Sequence, residues 1–233
     1  MQRAAIDIIR MMPAHRHYVE PFGGWLSVLL RKPPCASEIV NDTLTHLTTM
    51  YRVLRDDGAA LIQRLTVTQY SEATFQEAKL RIGGESDLVT AWAMFVILRQ
   101  SAHGAGRTFK VRQDSAATWL YAVDRLPQIV RRLRGVVVLN RDACSVISEY
   151  DNADTLFYCD PPCPVHRGMD TPFQHEMNTQ RHISFVALLK RCRGRVIVEG
   201  INHAIYAHAF RDWNRVQFKT INTCKDRHVW INF

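Results

Sequence analysis

The sequence predicts an α/β fold: an open, doubly wound, mostly parallel sheet that carries a helical insertion. Three observations predict it. Residues 17–54 alternate strand, glycine turn and helix, the pattern of a parallel sheet. Residues 58–133 break that alternation with helical patterning alone. Alternation resumes at Val136 and runs toward the C-terminus, so residues 1–57 and 134–233 are expected to form the sheet domain around an insertion at 58–133.

The elements follow in order. Residues 4–12 pattern as an amphipathic helix stopped by Pro13. His17-Tyr-Val-Glu-Pro21 is a short strand ending in an acid and a proline, and Phe22-Gly-Gly24 is a tight turn. A helix is expected to start over Ser27–Leu30 and to close at Pro33-Pro34. Residues 37–42 give a second strand, and 44–54 a helix with apolar positions at 44, 47, 50/51 and 54. Helices are expected over 58–65, 71–81, 87–100 and 115–133, with a Gly-rich loop at 100–109 between the last two. Val136–Leu139 is a strand and 142–149 a short helix. Leu156–Cys159 is a buried strand that must stop at Asp160, because Pro161 and Pro162 cannot donate to a ladder. Helix 179–191, strand 195–198, helix 203–210 and a closing antiparallel hairpin of 216–221 with 228–232 complete the reading.

Composition narrows the function. The length of 233 residues and the 47% hydrophobic content suit one α/β domain with a sizeable insertion. No apolar run reaches the roughly 18 residues that span a bilayer, and the first twelve residues are amphipathic rather than a secretion signal. No membrane partner is therefore expected. Six cysteines (35, 144, 159, 163, 192 and 224) lack a framework spacing, which fits a reducing cytoplasm. A net charge of +8 favours a polyanion such as nucleic acid, although a generic basic enzyme carries the same charge.

Four stretches carry candidate chemistry. In Glu20-Pro-Phe-Gly-Gly24 the glycines let a ligand approach the backbone, while Glu20 would repel a pyrophosphate and suits a cationic ligand. Asn41-Asp42 ends the second strand, where a carboxylate commonly accepts from ribose hydroxyls; it reads equally as a helix N-cap. Asp142 has the same two readings. Asp160-Pro-Pro-Cys163 leaves a carboxylate at the sheet edge where ligands bind in open α/β folds. It could also be an ordinary strand-ending turn.

Taken together these stretches resemble the Dam-like DNA N6-adenine methyltransferases, especially their phage and prophage branch. The resemblance rests on Pro13-x-His15-x-x-Tyr18-Val-Glu-Pro-Phe-Gly-Gly24, Asn41-Asp42, Tyr51–Asp56, Gln100-Ser101, Gly104-x-Gly106-Arg-Thr108 and Leu156-Phe-Tyr-Cys-Asp-Pro-Pro162. It extends over His175-Glu-Met177, His182, Leu188-Leu189, Ile205-Tyr206, Trp213 and Val229-Trp-Ile-Asn232. It implies a Rossmann-like methyltransferase sheet that binds S-adenosylmethionine, with Glu20, Pro21, Phe22, Gly23 and Gly24 along the methionine and sugar, Asp42 on the ribose hydroxyls and Asp142 near the adenine. It further implies a target adenine extruded from double-stranded DNA. Asp160 and the Pro161 carbonyl would hold the adenine's amine, with Pro162 and Cys163 completing the catalytic turn. Residues 58–133, with Arg99, Arg107, Lys110, Arg112 and the basic run at 131–134, become the expected DNA-reading insertion, in which many of the charges would simply be solvated helix faces.

The sequence departs from that family at four points. It starts just after the point where a Pro-Gly-Gly-Lys-type segment is usual. Trp25-Leu26 stand where small residues are preferred, and Cys163 stands where an aromatic stacks on the flipped base. Glu199-Gly-Ile201 replaces the usual Ser-Gly-Tyr. These departures support an alternative: a weakly active or inactive DNA-binding remnant. A cytosine amine as the acceptor is a third possibility. Cys159, Cys163 and His166 have a spacing within reach of zinc but no fourth ligand, so no metal is expected.

Overall fold

The computed structural model describes residues 2–84, 86–111, 113–164, 177–218 and 227–233. Among the described residues one mixed sheet of seven strands is formed. In sheet order they are β3 (Val136–Leu139), β2 (Ser37–Asn41), β1 (His17–Glu20), β4 (Thr155–Cys159), β5 (Arg195–Ile201), β7 (Arg227–Ile231) and β6 (Asn214–Phe218). β1 runs parallel to both β2 and β4, and β4 parallel to β5; β7 is antiparallel to β5 and to β6. This order is consistent with a Rossmann-like methyltransferase sheet. The strand order reverses between β1 and β4, so the carboxyl ends of those two strands flank the crevice where open α/β sheets bind ligands.

Strand alternation sorts the side chains onto two faces. Val19, Ile39, Phe157, Cys159, Val196, Val198 and Trp230 join one buried cluster with residues of α8 (Ala143–Tyr150), α9 (Thr179–Leu189) and α10 (Ala204–Ala209). The opposite parity puts Tyr18, Glu20, Glu38, Tyr158, Asp160, Glu199 and Arg227 on the other face. These three helices begin on side-chain caps. Asp142 accepts from the Ser145 N–H, Asn178 from the Arg181 N–H and His203 from the Ile205 N–H. α1 (Gln2–Met11) ends two residues before Pro13.

The described residues fall into two compact units, 2–43 with 139–164 and 177–233, and 44–138. The second contains α2 (Thr45–Asp56), α3 (Gly58–Thr66), α4 (Glu72–Arg81), α5 (Asp87–Gln100), α6 (Ser115–Asp124) and α7 (Leu126–Leu133). α5 is its centre. Val89, Ala91, Trp92, Ala93, Met94, Phe95, Val96 and Ile97 are all buried, as befits a helix apolar on every side. α2 packs on α5 within this unit, which begins at residue 44.

Two expectations about elements are corrected. Ser27–Leu30 forms turns rather than a helix. Leu26 sits at φ 50, in the left-handed region that a right-handed helix excludes, and its N–H turns back to the Gly23 carbonyl at 2.8 Å. The helix expected over 115–133 is two helices, divided at Arg125; Pro127 lies in the first turn of α7, where its missing N–H is harmless. The closing hairpin is confirmed as β6 with β7, although β6 starts earlier, at Asn214, and residues 219–221 lie outside the described residues.

Candidate functional site

The carboxyl ends of β1, β2 and β3 are tied together by one side chain. Asn41, fully buried, donates through Nδ2 to the carbonyls of Pro21 at 2.9 Å and Arg141 at 3.0 Å, and its Oδ1 accepts from the Arg141 N–H at 2.9 Å. Its backbone carbonyl also accepts from the Gly23 N–H at 2.7 Å. An amide is suited to this place because it donates and accepts at once. The Asn41-Asp42 pair thus divides its work: Asn41 holds the loops, while Asp42, half-buried, takes the Gly24 N–H on Oδ2 at 3.0 Å.

The turn after β1 is built for close approach. Gly23 is crowded, since a Cβ there would lie 3.1 Å from the Asn41 carbonyl and 3.2 Å from Leu26. Gly24 has φ 47, and a Cβ there would meet nothing within 4 Å. Its backbone therefore faces open space. Trp25 follows, 39% exposed. Phe22 packs edge-on against Phe185, with centroids 5.3 Å apart, and Pro21 is buried. Glu20 lies beneath the turn, 1% exposed. Its Oε1 accepts from the Tyr18 hydroxyl at 2.6 Å and from the Leu29 N–H at 2.8 Å. Burial pushes its carboxyl up to about 7, with the Asp160 charge adding to the rise and the two hydrogen bonds opposing it.

Asp160 stands at the end of β4, ahead of buried Pro161 and half-buried Pro162 and Cys163. Arg227 Nη2 donates to both of its oxygens, at 3.1 and 3.3 Å. The same guanidinium reaches Glu199 on β5, Nε to Oε1 at 2.7 Å, and the Tyr158 hydroxyl donates to the other oxygen of Glu199. Loss of water and the Glu199 charge raise the Asp160 carboxyl above its ordinary range, while Arg227 opposes the rise. The Asp160 side chain keeps 43% exposure, so solvent moderates that rise. The cluster of Glu20, Tyr158, Asp160, Glu199 and Arg227 therefore presents more carboxylates than cations at the β1–β4 crevice.

Asp142 behaves differently. It caps α8 and pairs with Arg181 at 2.5 Å. Burial pushes its carboxyl up, but the Ser145 N–H and Arg181 outweigh this and hold it below the usual carboxylate range. Of the two sequence readings of Asp142, the helix cap is the one observed, and the residue follows directly on the Asn41–Arg141 staple. Among the described residues no group of three or more His, Cys, Asp or Glu side chains is placed to hold a metal ion. Cys159 is buried in the sheet core, and His166 lies outside the described residues.

In the second unit, the Gly-rich stretch is a tight loop. Ser101 bridges Phe109, the Ala102 N–H donates to the Thr108 carbonyl, and Gly104 and Gly106 take φ 69 and 70. Arg107 is exposed on it, and Arg99 is exposed at the end of α5, its guanidinium 5.8 Å from the Phe95 ring centre. Lys110 is half-buried and its carbonyl accepts from the Tyr70 hydroxyl. Arg112 lies outside the described residues.

Sequence reasoning missed Tyr158 and Arg227, and it saw Glu199 only as an odd carboxylate. The Tyr-x-acid spacing at 18/20 and 158/160 puts a phenol and a carboxylate on one strand face and was a usable signal. Nothing local in the sequence marks Arg227.

Residues 2–88 match the family model of the D12 class N6 adenine-specific DNA methyltransferases. No curated protein matches the chain. A solved structure described as a conserved hypothetical protein from Streptococcus pyogenes aligns with 100% of this chain and 96% of its own, at 8% identity and a TM-score of 0.40.

Proposed function

We propose that this chain, whose residues 2–88 carry the sequence pattern of the D12 class, transfers a methyl group to the N6 amine of an adenine in double-stranded DNA. One observation carries the reading: Glu20–Gly24 and Asp160-Pro161-Pro162 sit at the carboxyl ends of adjacent strands on either side of the strand-order reversal. The residues present fit S-adenosylmethionine, because the Gly24 backbone opens onto unfilled space and the neighbouring side chains are mostly acidic, as a cationic ligand needs. Gly23, Gly24 and Asp42 would hold it, Asp142 would stand at its far end, and Glu20 would fix the turn from beneath. When bound, the cofactor supplies an electrophilic methyl group on a sulfonium.

The chain's own residues do the rest. The Asp160 carboxylate and the Pro161 carbonyl would accept the two N–H groups of the target amine, turning its lone pair out of conjugation with the ring. The gain is chiefly orientation. The same oxygens stabilise the positive charge that grows on the nitrogen. No strong base is required, since the proton can leave to solvent once the amine is charged. The second unit, with Arg99, Arg107, Lys110 and Arg112, would supply phosphate and base contacts.

A second reading has one observation in its favour. Arg227 already occupies both oxygens of Asp160, as in a weakly active or inactive DNA-binding remnant. Labelled S-adenosylmethionine and mixed-sequence duplex DNA separate the two. The enzyme reading expects cofactor binding and label on adenine N6, abolished by Asp160→Ala. DNA binding without cofactor binding or transfer would leave the remnant.

A further inference from the structure

Asp160 and Glu199 share one cation. Arg227 spans them with separate nitrogens, Nη2 on Asp160 and Nε on Glu199. The Glu199 side chain is 4% exposed and the Arg227 side chain 33%, so the buried acid is the anchor and the exposed end of the fork faces the crevice. Register explains the placement. Arg227 is opposite Ile201 on antiparallel β5 and β7, on the same sheet face as Glu199 two residues back. An amine that docks on Asp160 needs the oxygens that Arg227 now holds.

We propose that Arg227 is a positioning residue, a tethered cation that covers the amine-accepting oxygens of Asp160 until the acceptor arrives and then withdraws onto Glu199. This rests on the reading of Asp160 as the amine-binding carboxylate. Glu199 then sets how readily the cover opens. Tyr158 assists by donating to the far oxygen of Glu199, which keeps that carboxylate in place. Among the described residues, the charged and titratable groups that act on Asp160 include Glu20 from β1, Tyr158 and Cys159 from β4, Glu199 from β5, Arg227 from β7 and Tyr206 from α10.

The proposal makes two variants move in opposite directions. Glu199→Gln leaves Arg227 without its anchoring carboxylate and throws it fully onto Asp160. Transfer then slows by about tenfold, the scale of one charge-assisted hydrogen bond, mainly through a raised KM for DNA. Glu199→Gln combined with Arg227→Met uncovers Asp160 without leaving a buried charge alone, and KM for DNA falls below wild type. A purely structural role slows both variants. Because Arg227→Met alone leaves the buried Glu199 carboxylate without its cation, the double variant is the decisive one.

Carboxyl carbon-13 NMR of Asp160 gives a readout independent of turnover. Its titration midpoint falls in Glu199→Gln, which removes a negative neighbour, and rises again from that lowered value in the double variant, which also loses the cation. Calorimetric binding of S-adenosylmethionine to wild type keeps the two claims apart. Cofactor bound, with both variants slowed or the Asp160 midpoint unmoved in both, overturns the role of Arg227 and leaves the methyltransferase reading standing. No cofactor bound overturns that reading, and the role of Arg227 falls with it.

Discussion

At the scale of single residues, the site is held by acids whose charge is expensive. Glu20 accepts two hydrogen bonds on Oε1 while buried, and its carboxyl is raised from 4.5 to about 7. A carboxyl that binds its proton more tightly folded than unfolded contributes stability that is fully present below pH 4.5 and lost as the pH rises through 7. Glutamine keeps the accepting oxygen for Tyr18 and Leu29 without the charge. Glu20→Gln should therefore match wild type near pH 4 and exceed it at pH 8 by roughly 2–3 kcal/mol. Thermal or urea unfolding at the two pH values checks this. Equal stability of both proteins at pH 8 would show that the carboxylate is not strained there.

At the scale of elements, the crevice depends on Asn41 more than on any strand. Asn41→Ala removes two donated bonds and one accepted bond at a fully buried position and leaves the Pro21 and Arg141 carbonyls unmet. Unsatisfied buried groups are worth about 1–3 kcal/mol each, so a loss of roughly 2–4 kcal/mol is expected. Hydrogen exchange should show new opening at Pro21–Gly24 and 140–142 and little change in α5. Asn41→Asp keeps one acceptor and should lie between. These strand ends were legible in the sequence because their chemistry is local: acid, proline and glycine within five residues at 20–24, and acid with two prolines at 160–162. Ser27–Leu30, expected to start a helix, forms turns instead. The sequence shows no sign that Leu26 is left-handed, since buried packing and the turn hydrogen bond to the Gly23 carbonyl hold it there. Arg227 was out of reach for another reason. It meets Glu199 only through the β5–β7 register, and a slip of one residue would present His228 in its place.

At the scale of the whole molecule, charge is unevenly shared. Residues 44–138 hold thirteen Lys and Arg against eight Asp and Glu, so about two fifths of the chain carries five of its eight net positive charges. The first unit instead gathers Glu20, Asp160 and Glu199 at one sheet edge. Under the proposed function, a chain that brings a polyanion to a site for a cationic cofactor has reason to separate its charges in this way, since a basic crevice would repel the cofactor and an acidic surface the DNA. The consequence is measurable in salt. Each phosphate contact contributes about −0.9 to the slope of log affinity against log salt on duplex DNA. Arg107, exposed on the 101–109 loop, is the sharpest single test. Arg107→Ala should weaken binding to mixed-sequence duplex and make the salt slope shallower by about 1, with S-adenosylmethionine affinity unchanged. If affinity falls while the slope stays, Arg107 reads a base edge rather than a phosphate. If neither moves, the basic character of the second unit does not act through this loop, and the DNA-reading role passes to the other cations of residues 44–138.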